Sequence, residues 1–305
     1  RRSQVRILSP LRVGPRLSLG PFFTPKRGPM IRFENVSKSY DKGVTFAVKN
    51  FSLEVKHHST TVLLGTSGCG KTSLLRMVNA MVRPTSGKVW VRGKNVAESD
   101  PVKLRRSIGY VIQDGGLFPH RNVLENIATV PLLEGVSRAK ARRRALELLE
   151  LVGLESDYAS RFPAQLSGGQ RQRVGVARAL ANKTDILLMD EPFGALDPIV
   201  RTQLQEQVAW LRDQVGTTIL LVTHDVDEAF KLGDQIVVLE TGAKIAQAGD
   251  ARTLLNQSAN QFVSDFIGRS QAARRLQVDE AGLVTDLLGV PVGKLAASSQ
   301  TKARP

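Results

Sequence analysis

Directly after the apolar run Thr60–Leu64 the chain carries Gly65-Thr-Ser-Gly-Cys-Gly-Lys71-Thr72, the pattern G-x-x-x-x-G-K-[ST]. Glycines at 65, 68 and 70 let a backbone curl tightly, so that its N–H groups converge on phosphate oxygens. Lys71 adds a point charge for the β and γ phosphates of a nucleoside triphosphate, and Thr72 offers a hydroxyl to Mg²⁺. A helix beginning at Lys71 turns its positive end toward the same anion. Thr66, Ser67, Cys69 and Ser73 complete the expected nucleotide-binding set. Cys69 reads as a small residue tolerated by the loop, and nothing in the sequence supports a redox role for it.

Two further runs have the composition of a site. Ile186-Leu-Leu-Met-Asp190-Glu191 puts two carboxylates at the end of a buried strand, where a charge is costly unless paired or bound to metal. Neighbouring strand residues point to opposite sides, so the two acids are expected to serve separate roles. Ser167-Gly-Gly169 opens a helix running through Arg171 and Arg173, a start that exposes N–H donors to an anion. His224, in Leu221-Val-Thr-His224-Asp225, ends another apolar strand; alone it would read as structural.

The elements that must hold these residues are legible from periodicity. Ile31–Val36 and Phe51–Val55 alternate apolar and polar residues as half-buried strands do. Thr60–Leu64, Ile186–Met189, Thr218–Thr223 and Ile236–Leu239 read as buried strands, and Val89-Trp-Val91 closes a β-rich first part. Between about 114 and 180 the pattern turns helical: Ser137 is placed to cap a helix whose Ala145, Leu148, Leu149 and Val152 share one face, with Gly153 ending it. The Arg142-Arg-Arg144 run reads as the solvated face of that helix. Strands alternating with helices imply a largely parallel α/β sheet with a helical insertion.

Composition narrows the classes. The chain has 305 residues and one cysteine, so it has room for one or two domains and forms no internal disulfide, which suits a reducing compartment. No stretch approaches the roughly 20 apolar residues of a membrane helix. A formal net charge of +15 invites a nucleic-acid reading. Residues 1–29, however, hold seven Lys or Arg, no Asp or Glu, and five prolines. Much of the excess thus sits in a segment without periodicity, expected to be a disordered leader or sequence upstream of a start at Met30. The alternative is a basic arm for anionic lipid.

The phosphate loop, with Leu166-Ser-Gly-Gly-Gln170 roughly a hundred residues downstream, resembles the ATP-binding-cassette family, whose signature is that second run. The resemblance covers roughly residues 31–268. It implies an α/β fold: a RecA-like P-loop NTPase core with an antiparallel β-subdomain and an inserted helical subdomain. It also implies ATP and Mg²⁺. By the family pattern Asp190 coordinates the metal with Thr72, and Glu191 is the general base that polarises the attacking water. His224 contacts the γ-phosphate, Gln113 reaches Mg²⁺ and the water, and Tyr40 stacks on adenine. Ser167, Gly168, Gly169 and Gln170 face the nucleotide of a second protomer, and Ala195-Leu-Asp197 communicates between protomers. A second cassette, most simply another copy of this chain, follows. His57-His-Ser59 stands where many relatives have Gly-Glu; the departure touches local turn geometry, and the paired histidines read as turn residues.

Among cassette ATPases, importer subunits, exporter motors and soluble ATPases of nucleic acid or ribosomes are the competing readings. No long coiled coil, second cassette or fused membrane helices are present in the sequence. Gly109–His120 and Glu125-Asn-Ile-Ala-Thr-Val-Pro131, with Arg105-Arg106, resemble the glycine betaine/carnitine/choline importer type more than the amino-acid or sulfonate importers. That resemblance implies membrane permease subunits, an extracytoplasmic solute-binding protein, a peripheral place on the cytoplasmic face of the membrane, and no nucleic acid. Import of amino acids or other small solutes is the alternative. Leu117, Phe118 and Pro119 offer apolar surface for a permease, or else pack the helical subdomain. The 37 residues after Gly268 read as a short tail, which is not expected to hold the paired regulatory modules some relatives carry.

Overall fold

The computed structural model describes residues 28–272 apart from 114, 183 and 195, and three short C-terminal strands. The basic segment 1–29 thus lies outside the described residues except for Gly28 and Pro29, and Asp114 and Ala195 of the motifs above lie outside them too.

The alternating residues of the first part form strands β1 (Ile31–Lys38) and β2 (Val48–Val55). The buried run Thr60–Gly65 is β3, and helix α1 (Lys71–Val78) leaves from it through the phosphate loop. Strands β4 (Ser86–Val91) and β5 (Lys94–Asn95) follow, then α2 (Pro101–Arg106), capped by the Asp100 carboxylate, and β6 (Gly109–Val111). The helical stretch comprises α3 (Val123–Leu133), α4 (Arg138–Leu151) and α5 (Gly168–Leu180), which pack on one another. Ser137 occupies the N-cap position of α4, but its side chain makes no capping hydrogen bond. Beyond them come β7 (Ile186–Asp190), α6 (Pro198–Val215), β8 (Thr218–Thr223), α7 (Val226–Leu232), β9 (Gln235–Glu240) and β10 (Lys244–Gly249). Helices α8 (Ala251–Asn256) and α9 (Gln261–Ala272) precede a small antiparallel sheet of β11 (Gln277–Val278), β12 (Leu283–Thr285) and β13 (Pro291–Lys294).

The expected architecture is present as two sheets and a helical insert. One is a four-stranded antiparallel sheet in the order β2-β1-β4-β5; the other has six strands in the order β10-β9-β3-β8-β7-β6. Every pairing in the second is parallel except the β9–β10 edge. Its central strands are apolar on both sides because both faces are covered. Val62, Leu64, Leu187, Met189, Ile219 and Leu221 pack toward the helices, while Leu63, Ile186, Leu188, Leu220 and Val222 pack toward α1 and the antiparallel sheet. Each fully buried side chain of this kind contributes about 2 kcal/mol. This rigid double-sided sheet fixes the strand ends from which β3, β6, β7 and β8 launch the chemically active residues.

Candidate active site

The loop between β3 and α1 needs glycine at two of its turns. Gly68 and Gly70 have φ of 79° and 109°, a region that favours glycine, and a Cβ on Gly70 would run into the Ala47 carbonyl. Thr66 and Ser67 lie on the exposed rim, and Cys69 is buried beneath. Lys71 is only 4% exposed, so its ammonium requires partners. It donates to the Gly65 carbonyl at 2.7 Å and the Thr66 carbonyl at 2.8 Å, inside its own loop. Ser73, two residues on, shares a 3.0 Å hydrogen bond with the Tyr40 hydroxyl, which holds an exposed aromatic ring beside the loop. The Lys38 ammonium lies 4.9 Å from that ring's centre.

Asp190 ends β7 at 4% exposure and accepts from the Thr72 hydroxyl at 2.9 Å. The Tyr110 hydroxyl approaches its other oxygen at 3.4 Å, and an Arg76 guanidinium nitrogen stands 4.0 Å away. Burial raises the Asp190 pKa above its ordinary value, against the opposing pull of the Thr72 hydrogen bond and the Arg76 charge. Glu191 lies one residue beyond the strand, with a left-handed φ of 46°. The two carboxylates therefore part company by a backbone kink and not, as the strand reading expects, by alternation along β7. Its amide donates to the Val222 carbonyl of β8, which holds the kink in place. Its carboxylate accepts from Gln113 Nε2 at 3.2 Å and meets His224 Nδ1 at 3.2 Å. Gln113 arrives from the end of β6 and His224 from just past β8, whose last residue is Thr223.

Thr72 thus meets Asp190, and Glu191 meets Gln113 and His224, at adjoining strand ends, while Lys71, next to Thr72 in the chain, bonds within its own loop. The donor set fits a nucleotide and a hard divalent ion: a glycine-formed phosphate loop, a buried ammonium, and the Thr72 hydroxyl beside the Asp190 carboxylate, oxygen donors of the kind Mg²⁺ takes. Ser167–Gln170 stands apart from this cluster, at the head of α5. The Ser167 side chain accepts from the Gln170 amide at 3.2 Å while the Gln170 side chain accepts from the Ser167 amide at 2.9 Å, a capping box. A Cβ on Gly169 would lie 3.2 Å from the Leu196 side chain, so this glycine lets α5 come close to the loop before α6. Exposed Asp197 caps α6, accepting from the Val200 amide at 3.0 Å. His58 turns its ring onto the Gly216 carbonyl.

Residues 48–194 match the family described as ABC transporter. The carnitine transport ATP-binding protein OpuCA of Listeria monocytogenes serotype 1/2a (strain 10403S) is 48% identical over 242 residues, 79% of this chain and 60% of OpuCA. The glycine betaine uptake system ATP-binding protein YehX of Escherichia coli (strain K12) is 48% identical over 247 residues, 81% of this chain and 79% of YehX. The chain belongs to the ABC transporter family. Among solved structures, a dimeric post-hydrolysis state of the ATP-binding cassette MJ0796 bound to ADP and Pi is similar, with a TM-score of 0.68 and 34% identity. It is matched over 98% of its length and 72% of this chain. The chain spans less than two thirds of OpuCA's length.

Several residues of this ABC site escaped the sequence reading. Arg76 stands four positions after Thr72 on α1, a spacing that puts both on one helix face; that signal was available. Tyr110 lies within β6, three residues before Gln113, and only the pairing of β6 with β7 brings it to Asp190. Arg201, Asp225 and Glu228 join Glu191, Gly194, Thr223 and His224 around a small cavity of about 90 Å³. Glu228 is 4% exposed and accepts from the Thr223 hydroxyl at 2.7 Å; burial raises its pKa above the ordinary value.

Proposed function

We propose that this chain hydrolyses ATP as the energy-coupling subunit of an importer for quaternary-ammonium osmoprotectants such as glycine betaine, carnitine and choline. The observation that carries the ATPase reading is Glu191, kinked out of β7 and held between Gln113 and His224 while Asp190 keeps to Thr72. Bound Mg²⁺ would supply charge neutralisation to the phosphates, held by Thr72, Asp190 and Gln113. Lys71 carries the positive charge for the β and γ phosphates. Tyr40 presents its ring to the base. Glu191 accepts the proton of the attacking water, with Gln113 and His224 fixing its two oxygens, and His224 lies ready to donate to the γ-phosphate.

The head of α5, with exposed Ser167 and the Gly168-Gly169 amides, is directed at the nucleotide of a second cassette, so two copies act head to tail. The dimeric state of MJ0796 supports that arrangement. The names of OpuCA and YehX support the solute class and the import direction. Among the described residues no helix is long and apolar enough to cross a membrane. On the importer reading, which the names of OpuCA and YehX support, the chain works at the cytoplasmic face on separate permease subunits, supplied by an extracytoplasmic solute-binding protein. For permease docking the loop after Gln113 divides its labour. Leu117 packs against the helical core, while Phe118 is 41% exposed and Pro119 is exposed. Arg178 fixes the loop by donating to the Gly116 and Gly115 carbonyls at 2.7 and 2.9 Å.

The test is reconstitution with the permease and binding protein, and deletion of the gene. Phe118→Ala is expected to keep basal ATPase and to lose stimulation by the assembled importer; full stimulation refutes the docking site. Deletion is expected to reduce betaine, carnitine or choline uptake at high osmolarity. Normal uptake of all three in a strain without redundant carriers rejects the solute class.

A further inference from the structure

The cavity beside His224 is walled by charge, which packing alone does not call for. Arg201 sits one helical turn into α6, its amide bonded to the carbonyl of Asp197 at 2.9 Å. Its guanidinium reaches back to the Leu196 carbonyl at 3.4 Å and across to the Asp225 carboxylate at 3.7 Å, and its Nε is buried without a hydrogen-bond partner. Asp225 caps α7, accepting from the Asp227 and Glu228 amides at 2.8 and 3.1 Å. The residues flanking His224 are clasped together: the Asp225 amide donates to the Thr223 hydroxyl at 3.0 Å, and that hydroxyl donates to buried Glu228. His224 itself is 59% exposed and touches Glu191. Its backbone is therefore held from below by Thr223, Asp225 and Glu228, and this clasp is tied to α6 by Arg201.

We propose that Arg201 is a positioning residue that links the head of α6 to His224 through Asp225, so that a second cassette seated on that head sets the histidine beside Glu191. The proposal rests on the ATPase reading above. What supports it is continuity: the first turn of α6 carries exposed Asp197 and Ile199, the latter 72% exposed, on the surface beside Gly169. A shift of that turn moves Arg201, which passes it on through its contact with the Asp225 carboxylate and its charge beside Glu228. An apolar residue at 201 would pack the cavity but transmit nothing to His224.

The experiment compares the full chain with Arg201→Met, Arg201→Lys, Asp225→Asn and the Met/Asn double variant; Asn keeps the cap of α7 while removing the charge. ATPase is measured across ATP and protein concentrations. Arg201→Met and Asp225→Asn are each expected to lower kcat about tenfold, with KM and Tm little changed and the Hill coefficient for ATP falling toward about 1. Arg201→Lys recovers part of the loss, and the double variant is no slower than either single one, because both break the same link. Losses that multiply to about a hundredfold, an unchanged kcat in Arg201→Met, or a loss that tracks Tm would overturn the proposal. A second readout does not depend on turnover. The chain has four histidines, and the imidazole resonances of His224 alone should move in Arg201→Met; an unmoved His224 overturns the link. An unsubstituted chain that hydrolyses no ATP instead refutes the ATPase reading, and the resonance test still decides whether the link exists.

Discussion

Replacing Glu191 with Gln removes a base and almost nothing else. The carboxylate oxygens lie 3.2 Å from Gln113 Nε2 and 3.2 Å from His224 Nδ1, and an amide of the same shape can keep both neighbours once the Gln113 amide or the imidazole tautomer adjusts. The kink at 191 is held by the backbone bond to Val222, so it does not depend on the side chain's charge. What disappears is proton acceptance from water, which contributes about 10²–10⁴-fold, or roughly 3–5 kcal/mol of barrier. Lys71, Thr72 and Asp190 are untouched, so ATP affinity should stay within about twofold while kcat falls by at least two orders of magnitude. Uncleaved ATP then remains at the interface, and the variant should run as a dimer on a sizing column with ATP and Mg²⁺, where the parent does so only transiently. Equilibrium ATP binding, steady-state phosphate release and sizing chromatography measure the three quantities. Turnover within about tenfold of the parent refutes the base assignment. Loss of ATP binding refutes the claim that the carboxylate's contribution is confined to the chemical step.

Tyr40→Ala should raise KM for ATP about tenfold, the scale of one base–aromatic stack, with kcat falling by less than KM rises, while Tyr40→Phe stays near the parent; equal KM values for Ala and the parent refute the stacking role. Glu228→Gln should raise Tm at neutral pH. The sign follows from burial, which raises this carboxyl above the ordinary glutamate value of 4.5. Above that pH the folded state holds a proton the unfolded state has lost, so the parent loses stability as pH rises through the raised pKa. The Tm difference should therefore shrink on acidification toward pH 4.5, and a variant less stable than the parent at neutral pH would refute the reasoning.

The phosphate loop, the Asp190-Glu191 pair and the head of α5 could be read from the chain alone because each is a contiguous run whose chemistry depends on neighbours within a few residues. The buried strands were legible for a related reason: a sheet covered on both faces demands unbroken apolar runs, as in Thr218–Thr223. Helix α3 was harder to read, because Pro131 lies inside it, although Asn122 and Glu125 form a capping box that marks its start. Short β6 and edge strand β10 exist through pairing with β7 and β9; the three residues of β6 carry too little periodicity to announce a strand, and the six of β10 are mostly half-buried without clear alternation. The site's assembly lay beyond sequence in the same way. Gln113 and Glu191 are 78 positions apart, and Tyr110 and Asp190 are 80. They meet because parallel strands place their carboxyl ends at one edge of the sheet. The kink that turns Glu191 away from Asp190, and the tie from Arg201 to Asp225, are likewise decided by packing between β7, β8, α6 and α7. Local composition chose the chemical groups; the order of strands in the sheet chose which of them touch.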